Sequence, residues 1–269
     1  MPKSLRSHLE QSLEKFQAFP TALTDRQAIM RLIEALRPLS TNHELIRVGC
    51  EGDGGYLLPD DLANLGACFS PGVGNVSAFE ADCANRGMAI QMADGSVDEP
   101  AAEHPGFEFT KKFVGAVANR TTMTLDEWVS NTADTQQGDL LLQMDVEGSE
   151  YEVFLSMSRA LLERFRIIVV EMHMLDQLWS RPFFRLASRA FEKILQTHAC
   201  VHLHPNNCCG VIEKGALEIP RVMELTLLRR DRIEASQPAT VFPHPLDQDN
   251  TSNPPLPLPQ CWYDAAGRE

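Results

Sequence analysis

The chain has no apolar run approaching the ~20 residues of a membrane span. Its first residues, Met1-Pro2-Lys3-Ser4-Leu5-Arg6, lack the apolar centre of a secretory leader. Positive charge is scarce: 24 Lys and Arg stand against 37 Asp and Glu, a formal net charge of -13. Such a chain repels a phosphate backbone or an anionic lipid surface, so neither nucleic acid nor membrane is an expected partner. There is no central linker and no internal repeat. The seven cysteines are odd in number and lie partly in apolar segments such as 65–69, which suggests reduced thiols and a cytoplasmic location. What remains is 269 residues at 43% hydrophobic composition, enough for one large domain with a real core.

Leu5, Leu9, Leu13 and Phe16 recur at helical spacing and predict an amphipathic helix over 4–19. A second helix is expected from Thr24, whose spacing to Gln27 suits a capping box, with Asp25 at the positive helix start. Ile29, Leu32, Ile33 and Leu36 form its stripe, and Pro38 ends it. Residues 1–43 therefore read as a helical cap, either a lid or homo-oligomer surface or a plain packed cover. After residue 44, short apolar runs alternate with helical stretches, the pattern of βαβ units. Strands are expected near 66–70, 88–93, 107–113, 139–145, 166–172, 199–204 and 222–229, and helices at 76–86, 124–131, 148–163 and 182–197. No helix is predicted between the last two strands, which makes the final strand antiparallel. A seven-stranded, mostly parallel Rossmann-like sheet closed in this way is the α/β architecture of class I methyltransferases; it is placed at 44–234. From Ala235 on, seven prolines (Pro238, Pro243, Pro245, Pro254, Pro255, Pro257, Pro259) predict an extended tail over 235–269.

The run Leu65 to Phe69 leads into Ser70-Pro71-Gly72-Val73-Gly74-Asn75 and then a helix. Strand, glycine turn and helix start make a place where backbone comes close to a ligand. Asp94, at the end of the next expected strand, is placed to accept hydrogen bonds from ribose hydroxyls, and it also suits an Asp-Gly turn. The third glycine of the dinucleotide fingerprint is missing, since position 77 is Ser. That disfavours a pyrophosphate cofactor such as NAD and favours S-adenosylmethionine. Upstream, Glu51-Gly52-Asp53-Gly54-Gly55-Tyr56 reads either as a turn between two extended pieces or as a loop over the methionine end of that cofactor.

Three successive strands end in titratable residues, where ligands bind open α/β sheets. Asp145 and Glu147 follow the run 140–142; Glu150 is explained as a helix-start acid. Glu171 and His173 close the next strand, and His202 and His204 the one after. Two chemistries fit. His173 or His204 could act as a general base with a titration point near ~6.5. Alternatively, Asp145, Glu171 and His173, joined or not by His204, could hold Mg, Mn or Fe, which orients an acceptor and lowers its pKa. A zinc site from His202, His204, Cys208 and Cys209 is disfavoured because adjacent cysteines rarely replace a spaced pair.

Taken together, these residues resemble the FkbM-type S-adenosylmethionine-dependent methyltransferases, especially the branch related to methyltransferase-like proteins. The resemblance rests on Arg47-Val48-Gly49, on 53–58, on Phe69-Ser70 with Gly72-Val73-Gly74, and on Ser77 with Phe79-Glu80. It continues in Thr124-Leu125-Asp126-Glu127, Met144 through Glu150, Glu171-Met172-His173, His204-Pro205-Asn206-Asn207 and Glu224-Leu225-Thr226. It covers roughly 45–250; Pro71 and Met92-Ala93-Asp94-Gly95 depart from the family pattern. With the class I fold and S-adenosylmethionine that the resemblance implies, the expected cofactor contacts are Asp53, Gly54, Tyr56, Ser70, Gly72, Gly74, Asp94 and Asp145, and the expected catalytic residues, read from the strand ends, are Asp145, Glu147, His173 and His204. The resemblance also implies a small-molecule acceptor: relatives methylate hydroxyls of sugars and natural products, and some methylate peptide amides.

Overall fold

The computed structural model describes Leu13 and residues 20–132, 138–215 and 217–264. The helix expected over 4–19 lies outside the described residues apart from Leu13. The first helix described, α1 (Arg26–Leu36), starts one residue later than expected. Asp25, not Thr24, is its cap: the Asp25 carboxylate accepts from the backbone N–H of Ala28 at 3.1 Å. Thr24 is instead held by its own backbone, which donates to the Trp179 carbonyl at 2.9 Å.

Strands β1 (Leu39–Thr41), β2 (Leu45–Gly49) and β3 (Gly55–Pro59) precede the main sheet. β2 and β3 form an antiparallel hairpin, so the Gly-rich segment before Tyr56 is a turn joining two extended pieces. Then follow β4 (Leu65–Pro71), α2 (Ala78–Asn85), β5 (Ala89–Ala93), β6 (Phe107–Thr110), β7 (Phe113–Val114), β8 (Thr122–Met123), α3 (Leu125–Asn131) and β9 (Asp139–Met144). α3 carries the capping box that α1 lacks, between Thr124 and Glu127. The helix expected over 148–163 is two: α4 (Glu150–Ser156) and α5 (Arg159–Leu162). Ser158 breaks it by turning extended and accepting from the Leu161 N–H, a cap that competes with continuing the helix. β10 (Phe165–Met172), α6 (Arg181–Leu195), β11 (His198–Pro205), the small hairpin β12 (Val211–Lys214) and β13 (Leu217–Pro220), β14 (Met223–Arg229) and β15 (Ser236–Pro238) complete the chain.

Seven strands form one sheet in the order β11-β14-β10-β9-β4-β5-β6. All neighbours pair in parallel except β14, which runs against both β10 and β11. This is the mostly parallel sheet with an antiparallel last strand that the sequence pattern predicts. The central strands bury both faces by strict alternation. Leu140, Leu142, Met144, Ile168 and Val170 pack on one side with α1, α3, α4 and α6. Leu141, Ile167 and Val169 pack on the other with α2 and the β2–β3 hairpin. α6 turns Ala187, Ala190, Phe191 and Ile194 inward at 3-and-4 spacing, the seam that places it on the sheet.

The amino end of the sheet is closed by paired charges. Asp139 at the start of β9 accepts from Arg166 and from Arg229 at 2.7–3.0 Å. Asp61 accepts from Arg232 at 2.7 and 2.8 Å and lies 3.4 Å from Arg166. Burial works against the Asp139 carboxylate, but the two guanidiniums outweigh it and hold its pKa below the usual range. His198 opens β11 wholly buried, its Nε2 donating to the Phe165 carbonyl at 2.7 Å. Burial pushes this ring down from 6.5 to about 4. The folded state therefore refuses a proton that the unfolded chain accepts. His198 contributes stability above pH 6.5 that is lost as the pH falls toward 4, amounting to about 3 kcal/mol across that window. His198→Asn should flatten the pH dependence of stability between those values in urea denaturation; an unchanged slope would show that another group sets it.

Candidate active site

Two adjoining clefts open at the carboxyl ends of β4, β5 and β9. One, about 260 Å³, is lined by Asp53, Gly54, Tyr56, Gly74 and Gln143. The other, about 420 Å³, is lined by Asp94, Ser96, Phe113, Val114 and Glu152. Gly72, Asp145 and Glu147 belong to both. The junction exists because β4 and β9 run side by side and their ends touch. Asp145 N–H donates to the Pro71 carbonyl at 3.1 Å, and Gly72 N–H to the Ala93 carbonyl at 2.8 Å. Gly72 sits at φ 85°, and a Cβ there would lie 1.5 Å from the Asp145 carbonyl oxygen. Only glycine allows this approach.

Of the residues expected at a cofactor, Asp53, Gly54, Tyr56, Gly72, Gly74, Asp94 and Asp145 all line these clefts. Asp94 makes its turn with Oδ1 alone, accepting from Ser96 N–H at 2.7 Å and Ser96 Oγ at 2.6 Å. Ser70 does not reach either cleft. It is fully buried, with its hydroxyl 2.5 Å from Glu80 Oε1 and 2.6 Å from Gln143 Oε1. A hydroxyl has one proton, so Ser70 donates to one of these two oxygens at a time; burial raises the Glu80 pKa while the Ser70 hydrogen bond works to lower it. Gln143 in turn donates to Tyr56 Oη at 3.2 Å. This chain pins β3, β4, β9 and α2 together behind the cleft wall.

On the far side of Asp145 lies a second cluster. His173 Nδ1 is 3.0 Å from Glu150 Oε1, while its Nε2 faces Glu147 at 3.4 Å, Glu171 at 3.8 Å and Asp145 at 3.9 Å. Asp145, Glu147 and His173 present ligand-type atoms within 4.8 Å of one another. Glu150 is more than a helix-start acid: fully buried, it also accepts from the N–H groups of Val146 and Gly148, fixing the loop that carries Glu147. Glu171 accepts from Asn206 at 3.0 Å.

Charge is unbalanced here, unlike at the amino edge. Burial lowers His173, but the Glu150 hydrogen bond and the charges of Glu150, Glu171 and Asp145 carry it from 6.5 to about 9. The ring is drawn toward its protonated form, away from the free base that an ordinary titration point suggests. Burial, with neighbouring carboxylates, moves Asp145 up to about 6 and Glu171 up to about 8, against the pull of His173.

His204 stands apart from this cluster. It is covered by the C-terminal segment, where Asp247 Oδ1 lies 2.8 Å from His202 Nε2 and 3.7 Å from His204 Nδ1. Burial opposes the Asp247 carboxylate, yet the hydrogen bond from His202 and the nearby His204 hold it well below the usual range. The Asn250 amide donates to Glu224 at 2.6 Å and to Asp53 at 3.5 Å. Burial pushes Glu224 up to about 7 despite His204 and Asn250. Asp247 and Asn250 escaped the sequence reading because nothing in a proline-rich tail marks an acid or an amide as aimed inward. The proposed four-residue zinc set does not form either: His202 is committed to Asp247, and Cys208 and Cys209 are joined as a disulfide. Among the described residues no helix is long and apolar enough to cross a membrane.

A family model, the methyltransferase FkbM domain, matches residues 39–198. No curated protein matches. Among solved structures, one from Anabaena variabilis ATCC 29413, described as a "putative methyltransferase from antibiotic biosynthesis pathway", is similar at 14% identity and a TM-score of 0.28. The similarity covers 52% of this chain and 60% of that one, so this chain spans well under two thirds of its length. With more than half of its residues inside the family model, from the first short strand to the start of β11, the chain belongs to the FkbM methyltransferase family.

Proposed function

We propose that the protein transfers a methyl group from S-adenosylmethionine to a hydroxyl of a small polar acceptor, a sugar or natural product. The observation that carries this reading is the pair of clefts meeting at Gly72 and Asp145. An elongated cofactor with a charged amino-acid end and a nucleoside end fits such a bent, two-part site, and the glycine at its junction lets the ends of β4 and β9 meet there. Asp53 and the exposed backbone of the glycine turn would hold the amino-acid end, with Asp94 at the ribose. When bound, the cofactor supplies an electrophilic sulfonium methyl. The chain's part is to bind, orient and exclude water, since positioning supplies most of the acceleration in an in-line transfer. Asp145, Glu171 and Glu224 offer acceptors that would orient hydroxyl groups beside Tyr56.

Calorimetry with S-adenosylmethionine, S-adenosylhomocysteine and NAD tests the reading. The two sulfur compounds should bind in the micromolar range and NAD should not. Asp94→Ala should weaken both about 10-fold or more, the loss of a charge-assisted hydrogen bond of about 1.5–3 kcal/mol. Tight NAD binding with no response to the methyl donor would overturn it. Turnover of a peptide amide but of no hydroxyl would replace the acceptor class and leave the cofactor in place.

A further inference from the structure

The geometry points to a binding site for one divalent transition-metal ion, of the Mn(II) or Fe(II) type, held by His173 Nε2, Asp145 Oδ1 and Glu147 Oε2, with Glu171 alongside. Three separate features converge on it.

The first is spacing. The oxygens of Asp145 and Glu171 lie 3.9 and 3.8 Å from His173 Nε2, too far for hydrogen bonds, and Glu147 lies at 3.4 Å. Two atoms each about 2.1 Å from a shared ion stand roughly 3–4 Å apart. The separations from His173 Nε2 fall in that range, and the ligand atoms of Asp145, Glu147 and His173 all lie within 4.8 Å of one another.

The second is the state of the ring. Glu150, fully buried, fixes the imidazole through Nδ1 at 3.0 Å. A carboxylate on one ring nitrogen orients the imidazole so that the other nitrogen can bind a metal once its proton is displaced, the arrangement found behind metal-bound histidines. Here that other nitrogen is the one surrounded by the three carboxylates.

The third is an atom with nothing to do. Asp145 Oδ1 is buried and has no hydrogen-bond partner. A buried carboxylate oxygen left without a donor is costly, and it persists where something else satisfies it. At the amino edge, Asp61 and Asp139 are both matched by arginines. Among the described residues, the ion pairs of Asp145, Glu147, Glu150 and Glu171 are all with the single ring of His173. One nitrogen and two or three carboxylate oxygens favour a first-row transition ion over the all-oxygen sites of Mg(II).

The site does not depend on the methyl-transfer reading, since its ligands and its test need no cofactor. If that reading holds, the ion would sit beside the cleft junction and could orient the acceptor hydroxyl.

The test is calorimetric titration of the chelator-stripped full chain with MnCl₂, CoCl₂ and MgCl₂, without any methyl donor. One Mn(II) or Co(II) per chain is expected, bound more tightly than Mg(II). His173→Gln, Asp145→Asn and Glu147→Gln should each weaken Mn(II) at least 10-fold, while Asp98→Asn, on an exposed loop, should change nothing. Glu147 is 85% exposed, so its variant tests the site without threatening the fold. Pulsed electron paramagnetic resonance of bound Mn(II) should show one imidazole nitrogen that disappears in His173→Gln. Absence of saturable binding, or binding that none of the three ligand variants alters, overturns the site. Either result leaves the S-adenosylmethionine titration to be judged separately.

Discussion

Gly72→Ala should abolish binding of the methyl donor and destabilise the fold severely, while Gly74→Ala two residues on should cost only the strain of its left-handed backbone. The two glycines share the same turn and both have positive φ, 85° and 45°. Their surroundings separate them. A Cβ on Gly72 meets the Asp145 carbonyl oxygen at 1.5 Å and its carbon at 2.6 Å; a Cβ on Gly74 meets nothing within 4 Å. The atoms in the way at Gly72 are backbone, so no rotamer change can relieve the clash. β4 and β9 would have to part at their ends, breaking the Asp145-to-Pro71 hydrogen bond at 3.1 Å. The left-handed backbone costs about 1–3 kcal/mol at either site, and at Gly72 the overpacking adds about 1–3 kcal/mol or more. Urea denaturation combined with donor titration would read both effects. Equal losses in the two variants would mean that the turn's conformation matters and the junction of the clefts does not.

The same junction shows which features a sequence can reveal. The central strands were legible because burial on both faces leaves no room for a polar residue, so Leu140-Leu141-Leu142 and Ile167-Ile168-Val169-Val170 stand out as apolar runs. The polar residues that end those runs were legible for the converse reason: Asp145, Glu171 and His173 break a pattern that burial would preserve. Their chemistry was not. That His173 is drawn toward its protonated form follows from four carboxylates converging from the end of β9 and the loop after it, α4 and β10, which is a tertiary fact. Glu150 misled because a helix-start acid is a sufficient local explanation for it. Ser70 misled in the opposite way. It lies in the glycine motif but its buried hydroxyl is taken up by Glu80 and Gln143, which line the cleft in its place. The break at Ser158 and the cap at Asp25 are decided by which of two neighbouring side chains reaches an N–H, a choice that propensity leaves open.

Trp262→Ala should lower stability by about 3–5 kcal/mol, the cost of emptying a large buried site. This is a strong claim for a residue close to the end of the described chain and well outside the family match at 39–198. Proline-rich composition predicts a segment lying on the surface, for which truncation would cost within about 0.5 kcal/mol. The contacts argue otherwise. Trp262 is fully buried, packed in the same core as α1 and the β12–β13 hairpin, and its indole N–H donates to the Glu218 carbonyl at 3.1 Å. Arg37, at the end of α1, donates twice to the neighbouring Cys261 carbonyl, at 3.3 and 3.1 Å. β15 pairs with β1 further back, so the intervening stretch is anchored at both ends. That stretch contains Asp247 and Asn250, the residues that reach His202, Glu224 and Asp53. Prolines assist here: a chain with few accessible unfolded conformations loses less entropy when it is fixed in an extended course. If Trp262 is the anchor, its loss should release the segment between 239 and 262, so limited proteolysis should cut there first while the sheet survives. Urea denaturation of Trp262→Ala and Trp262→Phe would complete the case, with phenylalanine recovering most of the stability but not the Glu218 hydrogen bond. A midpoint unchanged in the alanine variant would return the tail to a surface covering and leave Asn250 free to move away from Glu224.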